Sequence, residues 1–286
     1  MRKRITLAAI GLLIAVPATA MAVQEVIEDV ELDGGSNTVF EPGNDEPGND
    51  ECLTADIREE AAYASVEDGD ANGDSDAFDD GLLMLLNGKS FVDGDDNGNL
   101  VGEQLKVGPS ILSGFKVTRT DRALATSPTQ RSLITLKNTK NRAKSARIVI
   151  ESDYGADDDE VVRGSAARPK LFYAKNDNWL VVADDTTSPG DAIVTHAFFG
   201  KGANERVEKV TNGIPNGDSC LDVKYGLRVP GNSTRHLMLF TQLSESDDVG
   251  GAKVRAQAFG KAKLARKFLV GLGGKTKKKI VNWDLG

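Results

Sequence analysis

Over residues 110–243 the chain repeats one pattern: a short run in which apolar and polar residues alternate, then a cluster of turn-forming residues. Alternation with period two sends every second side chain to one face, so each run reads as a strand with a buried side. Residues 110–120 present Ile111, Leu112, Phe115 and Val117. Residues 130–138 present Leu133, Ile134 and Leu136, and residues 145–153 alternate Ala146, Ile148 and Ile150 with Arg147, Val149 and Glu151. Further runs cover 178–183, 192–199, 206–210, 220–229 and 233–243, separated by signals such as Ser127-Pro128, Ser188-Pro189-Gly190, Asn212-Gly213 and Pro230-Gly231-Asn232. Strands at this spacing with no helices between them predict an all-β fold, a large antiparallel β-sandwich over residues 61–245.

The period changes near the end. Val254, Ala258, Ala262, Ala265, Leu269 and Leu272 recur at intervals of three or four with lysines and arginines mostly elsewhere, which predicts a C-terminal amphipathic helix capped by Ser246 or Asp247. Gly273 and Gly274 stop it, and a short second helix is expected over residues 277–283. The helical segment 246–286 is strongly basic, whereas residues 23–100 are strongly acidic. Such asymmetry predicts that the segment packs on the acidic sandwich; solvated tails are the other reading.

At the other end, Arg2, Lys3 and Arg4 precede the apolar run 5–16 and the small-residue site Ala20-Met21-Ala22. These are the marks of a secretory signal peptide over residues 1–22, so the mature chain is expected to begin near Val23 and to be exported to the periplasm, the medium or the cell surface. No later stretch resembles a transmembrane span. Removing the signal takes away three positive charges from a chain whose formal charge is already −8, and this acidity argues against a nucleic-acid partner. Residues 23–60 are polar and acidic and contain the tandem repeat Glu41-Pro42-Gly43-Asn44-Asp45 and Glu46-Pro47-Gly48-Asn49-Asp50, which predicts a flexible linker. The two cysteines, Cys52 and Cys220, are expected to form one disulfide in an oxidising compartment.

Two Asp/Asn/Gly-rich loops flank the apolar run 81–88, itself a candidate buried strand. In the first, Asp68, Asp70, Asn72, Asp74, Asp76 and Asp79 occupy positions 1, 3, 5, 7, 9 and 12 of a twelve-residue calcium loop, with Gly73 at position 6. Calcium is therefore the expected cofactor. The competing reading is a tight turn, since Asp, Asn and Gly tolerate positive φ and bond their own backbone. The second loop opens with Asp93, Asp95 and Asn97 but carries Val101 and Gln104 at positions 9 and 12.

Catalytic signatures are sparse. His196 and His236 both fall inside expected strands, and no HExxH, GxSxG or CxxC pattern occurs. Gly274-Lys275-Thr276 resembles the tail of a phosphate loop, but the first glycine of that motif would fall at Leu269. Carboxylates suited to an acid/base pair are Asp153, Asp157, Asp158, Asp159, Asp177, Asp184 and Asp185, all at loops or strand ends.

Three stretches carry a resemblance: Asp76-Ala77-Phe78-Asp79-Asp80-Gly81-Leu82 with Asn87-Gly88 and Phe91; Asp177-Asn178-Trp179 with Asp184-Asp185; and Ile280-Val281-Asn282-Trp283-Asp284. Together they resemble an uncharacterised family of exported bacterial β-sandwich domains found in large cell-surface proteins. The resemblance implies a many-stranded antiparallel sandwich and export, and it brings no catalytic residue. Two functions follow as expectations. The first is an exported, non-catalytic binding or structural module whose partner is a glycan or a cell-surface protein. The second is a carbohydrate-active enzyme using paired loop carboxylates.

Overall fold

A computed structural model describes residues 23–27, 30–43, 63–75, 77–92, 97–155, 160–166, 175–184, 190–212 and 220–286. The expected signal peptide, Cys52, Asp76, Asp93, Asp95, Asp157, Asp158, Asp159 and Asp185 lie outside the described residues. The first eight strands are β1 (Val23–Val26), β2 (Leu32–Asp33), β3 (Thr38–Gly43), β4 (Ala64–Ala71), β5 (Asp80–Leu86), β6 (Asn97–Leu100), β7 (Gln104–Leu112) and β8 (Phe115–Ala123). They are followed by β9 (Thr129–Asn138), β10 (Lys144–Asp153), β11 (Glu160–Ser165), β12 (Trp179–Asp184), β13 (Ile193–Ala197), β14 (Lys209–Asn212), β15 (Cys220–Val229) and β16 (Thr234–Ser244).

These strands form an all-β sandwich of two antiparallel sheets. One has nine strands in the order β1-β6-β7-β8-β9-β16-β13-β12-β11, and the other has seven in the order β14-β15-β10-β5-β4-β3-β2. The alternation read from the sequence builds the layer between them. Phe115 and Val117 of β8, Ile134 and Leu136 of β9, and Leu237 and Leu239 of β16 face Leu82, Met84 and Leu86 of β5, Ile148 and Ile150 of β10, and Val223 and Tyr225 of β15. β5 is buried along its whole length, as its apolar run predicts, because its other face contributes Leu83 and Leu85 to a small outer cluster with Ala64.

Polar side chains also cross this layer. Asp121 of β8, fully buried, accepts hydrogen bonds from Tyr63 Oη (2.6 Å) and Ser65 Oγ (2.5 Å), while Gln130 Nε2 donates to the Ser65 carbonyl (2.8 Å). Arg119, two residues before Asp121 and equally buried, donates from Nη1 to the Leu82 carbonyl (2.7 Å) and lies over the Tyr63 ring. Leu82 has φ +58°, a conformation that a bulky side chain rarely adopts. It sits where the β5–β10 register shifts, a bulge pinned from both sides by Arg119 and by Ser152 Oγ, which accepts from Leu82 N (3.1 Å).

Three expectations are corrected. The run 110–120 is not one strand, because Ser113 (φ +47°) and Gly114 (φ +73°) turn the chain between β7 and β8. The segment from Val23 to Gly43, expected as linker, supplies three strands: β1 pairs with β6, and β2 and β3 extend the seven-stranded sheet. Ile27, Val30, Leu32 and Phe40 anchor it in the main core, so a few apolar side chains offset its polar composition. The C-terminal helix is also much shorter than expected. α1 covers Val249–Ala256, a 3₁₀ turn Arg266–Leu269 follows, and α2 covers only Gly274–Lys277, with irregular chain replacing the second helix expected over 277–283. Gly250, Gly251 and Gly260 weaken a continuous helix, and Val254 is 67% exposed instead of facing the sheet. Among the described residues no helix is long and apolar enough to cross a membrane.

This C-terminal strap nonetheless packs on the sandwich. Ala252, Ala256, Phe259, Phe268, Ile280 and Trp283 cover the outer face of the nine-stranded sheet, where Trp179, Val181, Ile193, Met238 and Phe240 point outward. Its last turn is latched by Asn282, which is fully buried: its Oδ1 accepts from Met238 N (2.9 Å), and its Nδ2 donates to the carbonyls of Phe198 (2.7 Å) and Met238 (2.8 Å). The Trp283 indole also donates to the Met238 carbonyl (2.6 Å) and lies against Gly200, where a Cβ would come within 2.6 Å of the ring. Asn282→Ala leaves the buried Met238 N without its acceptor and removes two further hydrogen bonds, and it is expected to lower stability by about 2–4 kcal/mol, measured by urea denaturation; a loss below about 0.5 kcal/mol contradicts the latch.

Candidate functional site

The acidic stretch singled out in the sequence lies at one end of the sandwich. Asp68 and Asp70 are strand residues, on the face of β4 that points away from the main core. Glu41 of β3 stands opposite Asp68, and Val39 stands opposite Asp70. The chain then reverses in two residues: Asn72 (φ +60°) and Gly73 (φ +99°) both adopt left-handed backbone, while Ala71 N and Asp74 N each donate to the other residue's carbonyl (2.8 and 3.3 Å). This is the geometry an Asn-Gly pair favours in a tight hairpin. Asp70 Oδ1 closes it by accepting from Gly73 N (2.9 Å).

The tip of this hairpin docks on the chain between β16 and α1. Asn72 Nδ2 donates to Glu245 Oε1 (3.0 Å), and Asp74 Oδ2 accepts from Ser246 N (2.6 Å). Beside the contact is a cleft of about 540 Å³ lined in part by Thr38, Leu243, Glu245, Asp247, Asp248 and Arg255. Its carboxylates are largely committed. Asp248 caps α1 through Gly251 N (2.9 Å) and pairs with Arg255 (2.9 Å), whose Nη2 also donates to Ser244 Oγ (2.6 Å).

Of the six expected calcium ligands, the structure thus places Asp68 and Asp70 on a strand and Asn72 and Asp74 at a docked turn. Asp79 follows on the exposed approach to β5, and Asp76 lies outside the described residues. Among the described residues no three His, Cys, Asp or Glu side chains are grouped so as to hold a metal ion. The basic residues of the strap do not reach this stretch through any described ion pair; Arg255 is engaged with Asp248.

Both histidines are core groups. His196 is fully buried among the rings of Phe78, Tyr154 and Phe198, with Nδ1 3.2 Å from Thr241 Oγ1; burial pushes its pKa down to about 3. His236 Nδ1 lies 2.9 Å from Thr135 Oγ1, and burial together with nearby Lys279 lowers its pKa to about 4. Of the candidate acids, Asp153 and Asp177 are buried, and Asp184 Oδ2 accepts from the backbone of Gly190 (3.3 Å) and Asp191 (3.2 Å) as a turn brace.

Sequence reasoning missed a second polar surface, on the outer face of the seven-stranded sheet. A trough of about 590 Å³ is lined there by residues that include Asn87, Arg147, Glu208 and Arg228 around Gly226. Arg147 and Gly226 are paired across β10 and β15, and Arg147 N donates to Asn87 Oδ1 (2.9 Å). Gly226 keeps the floor open, since a Cβ there would run into the Glu208 carboxylate. The signal for it was available in the alternation: Arg147 and Arg228 are the outward residues of strands whose inward positions are apolar.

No family profile matches the sequence, and no curated protein matches it. Among solved structures, the chain is similar to a provisionally named kojibiose phosphorylase from the human microbiome, with 11% identity over 83% of this chain and 34% of that one and a TM-score of 0.48. It is also similar to a provisionally named aldose 1-epimerase from Klebsiella pneumoniae subsp. pneumoniae, with 9% identity over 84% and 88% of the two chains and a TM-score of 0.41. A GH36 alpha-galactosidase from Geobacillus stearothermophilus gives 10% identity over 78% and 41%, with a TM-score of 0.38. The chain spans about a third of the first of these proteins. Likeness at this level transfers neither residues nor activity.

Glu41 gives the acidic end a measurable signature. Burial, and then the charges of Asp68, Glu31 and Asp70, raise its pKa above the ordinary 4.5. The folded protein therefore holds this proton more tightly than the unfolded chain does. The ionised group costs stability at neutral pH, and the cost disappears as pH falls through the folded pKa to below 4.5. Glu41→Gln is expected to raise the melting temperature by about 1–3 °C at pH 7, with the gain gone near pH 4. Calorimetry at both pH values checks this; a variant that melts lower at neutral pH contradicts it.

Proposed function

We propose that the protein is an exported, non-catalytic β-sandwich module that binds a glycan or a cell-surface protein. The observation that supports this best is the polar trough over β10 and β15. Its two guanidinium forks, Arg147 and Arg228, stand on the paired strands β10 and β15, with the Asn87 amide and the Glu208 carboxylate at the adjoining strand ends, and together they match the vicinal hydroxyls of a sugar or the polar rim of a protein. Among its described lining residues one is a carboxylate, Glu208, whereas glycoside hydrolysis commonly needs two facing each other at about 5–9.5 Å. That favours binding over the alternative, a carbohydrate-active enzyme with paired loop carboxylates.

Export is supported by the form of residues 1–22 and by the resemblance to exported sandwich domains of cell-surface proteins. It implies a mature start near Val23 and a bridge between Cys52 and Cys220 at the head of β15. Peptide mapping of secreted protein without reductant should return that linked pair; two alkylatable thiols would contradict it. Calcium at the acidic stretch enters this reading as a weak accessory cation, bound on the order of 10⁻⁴–10⁻³ M as in extracellular modules. A melting temperature that rises with millimolar calcium and stops rising in Asp70→Asn with Asp74→Asn is its signature, and a flat response removes it.

A glycan array probed with the wild-type protein and with the Arg147→Ala, Arg228→Ala double variant tests the main reading, together with hydrolysis assays on the glycans that bind. Binding weakened by about tenfold or more in the variant is expected, with no turnover. Turnover that a single Asp→Asn change abolishes would overturn it in favour of the enzyme.

A further inference from the structure

We infer that the cleft between the C-terminal strap and β7–β8 of the nine-stranded sheet is a binding site for a small organic acid, whose carboxylate is held between Arg122 and Lys267. The cleft has a volume of about 410 Å³, within the range of small-ligand pockets. Arg122 and Lys267 line it with Glu103, and Val101, Leu124 and Val270 supply apolar surface.

Its electrostatics are unbalanced. Arg122 stands directly opposite Arg131 across β8 and β9, a like-charge pairing that destabilises a sheet unless something compensates it. Arg131 is 2% exposed and is compensated only in part: its Nη1 donates to the Phe268 (3.1 Å) and Val270 (2.8 Å) carbonyls of the strap, while its Nε has no hydrogen-bond partner. Burial and the neighbouring Arg122 together lower its pKa to about 10.

Arg122 itself has one long contact, 3.5 Å to Gln104 Oε1, and among the described residues neither it nor Lys267 is in an ion pair. Glu103, the acid in the lining, accepts from Asp33 N (2.7 Å), on the β2 side. A carboxylate entering between Arg122 and Lys267 supplies the missing negative charge and two acceptor oxygens for a guanidinium fork.

The strap shapes the opening. Gly271 (φ +76°) passes so close that a Cβ would lie 2.6 Å from Arg122 Nη1, and Val270 is left 50% exposed beside it. A ligand with one carboxylate and a compact body that presents C–H surface, as a sugar ring face or an alkyl chain does, fits this pairing of charge and surface. Two sources share that chemistry, a hexuronate residue of a glycan and a free aliphatic acid. The site does not depend on the glycan reading: a free acid that binds while the glycan array stays blank leaves it standing.

Isothermal titration of the full chain with glucuronate, hexanoate, glucose and inorganic phosphate tests it. One of the two carboxylates is expected to bind one to one in the millimolar range or tighter, while glucose does not bind. Glucuronate identifies the glycan source and hexanoate the free acid. Lys267→Ala and Arg122→Gln should each weaken binding by about tenfold. Lys267 is exposed, so its variant decides alone if Arg122→Gln fails to fold. Absence of binding by both carboxylates, wild-type affinity in the variants, or equal affinity for phosphate would overturn the inference.

Discussion

A sheet that is apolar on both faces cannot stand in water, and the nine-stranded sheet of this protein is such a sheet. Its inner face belongs to the sandwich core, but Trp179, Val181, Ile193, Met238 and Phe240 point the other way. Each large apolar side chain left uncovered forfeits about 1.5–3 kcal/mol of burial, so the strap is a third layer of the fold. Aromatic packing of Phe240 with Phe259, Phe268 and Trp283 at centroid separations of 5.1, 5.5 and 5.2 Å supplies the adhesion. Directional bonds supply the placement: Asn282 reads the backbone at Phe198 and Met238, Asn178 Nδ2 donates to the Phe259 carbonyl (2.8 Å), and Arg131 holds the 268–270 carbonyls.

The placement of the strap decides where other molecules can meet the protein. By covering the middle of one sheet it leaves the cleft at Arg122, and the outer face of the other sheet carries the Arg147 trough. The inner layer is made rigid by a different device. Asp121, Tyr63, Ser65 and Gln130 tie strands of the two sheets together where apolar side chains alone would leave their relative position weakly specified. Arg119 uses the same buried position to hold the Leu82 bulge, which re-aims β5 against β10.

Much of this was legible from side-chain alternation. β9, β10, β15 and β16 fall within a residue or two of their expected bounds, because one buried face and clear turn residues define a strand without reference to its partners. The failures have physical causes. Ser113-Gly114 was hidden inside an apolar run, although both residues accept the positive φ of a hairpin. In the acidic stretch the calcium spacing and an Asn-Gly turn were encoded by the same residues. The positive φ of Asn72 and Gly73, with strand pairing up to Ala71, gives the local backbone to the turn. The strands before Gly43 rest on isolated residues such as Leu32 and Phe40, whose value comes from distant partners that composition does not reveal. The Arg122–Arg131 pairing depends wholly on register, which no local pattern predicts.

The strap is an integral layer of the native fold, opening only when the sheet itself unfolds. Native-state hydrogen exchange tests it directly, because the strap and β16 exchange main-chain bonds: His236 N donates to the Lys279 carbonyl (2.9 Å) and Val281 N to the His236 carbonyl (3.0 Å). The amides of Val281 and Met238 are expected to exchange as slowly as those at the centre of β9, with the same free energy of opening and the same denaturant dependence. Exchange at Val281 through a separate opening of low denaturant dependence, while Ile134 and Leu237 stay protected, would contradict it.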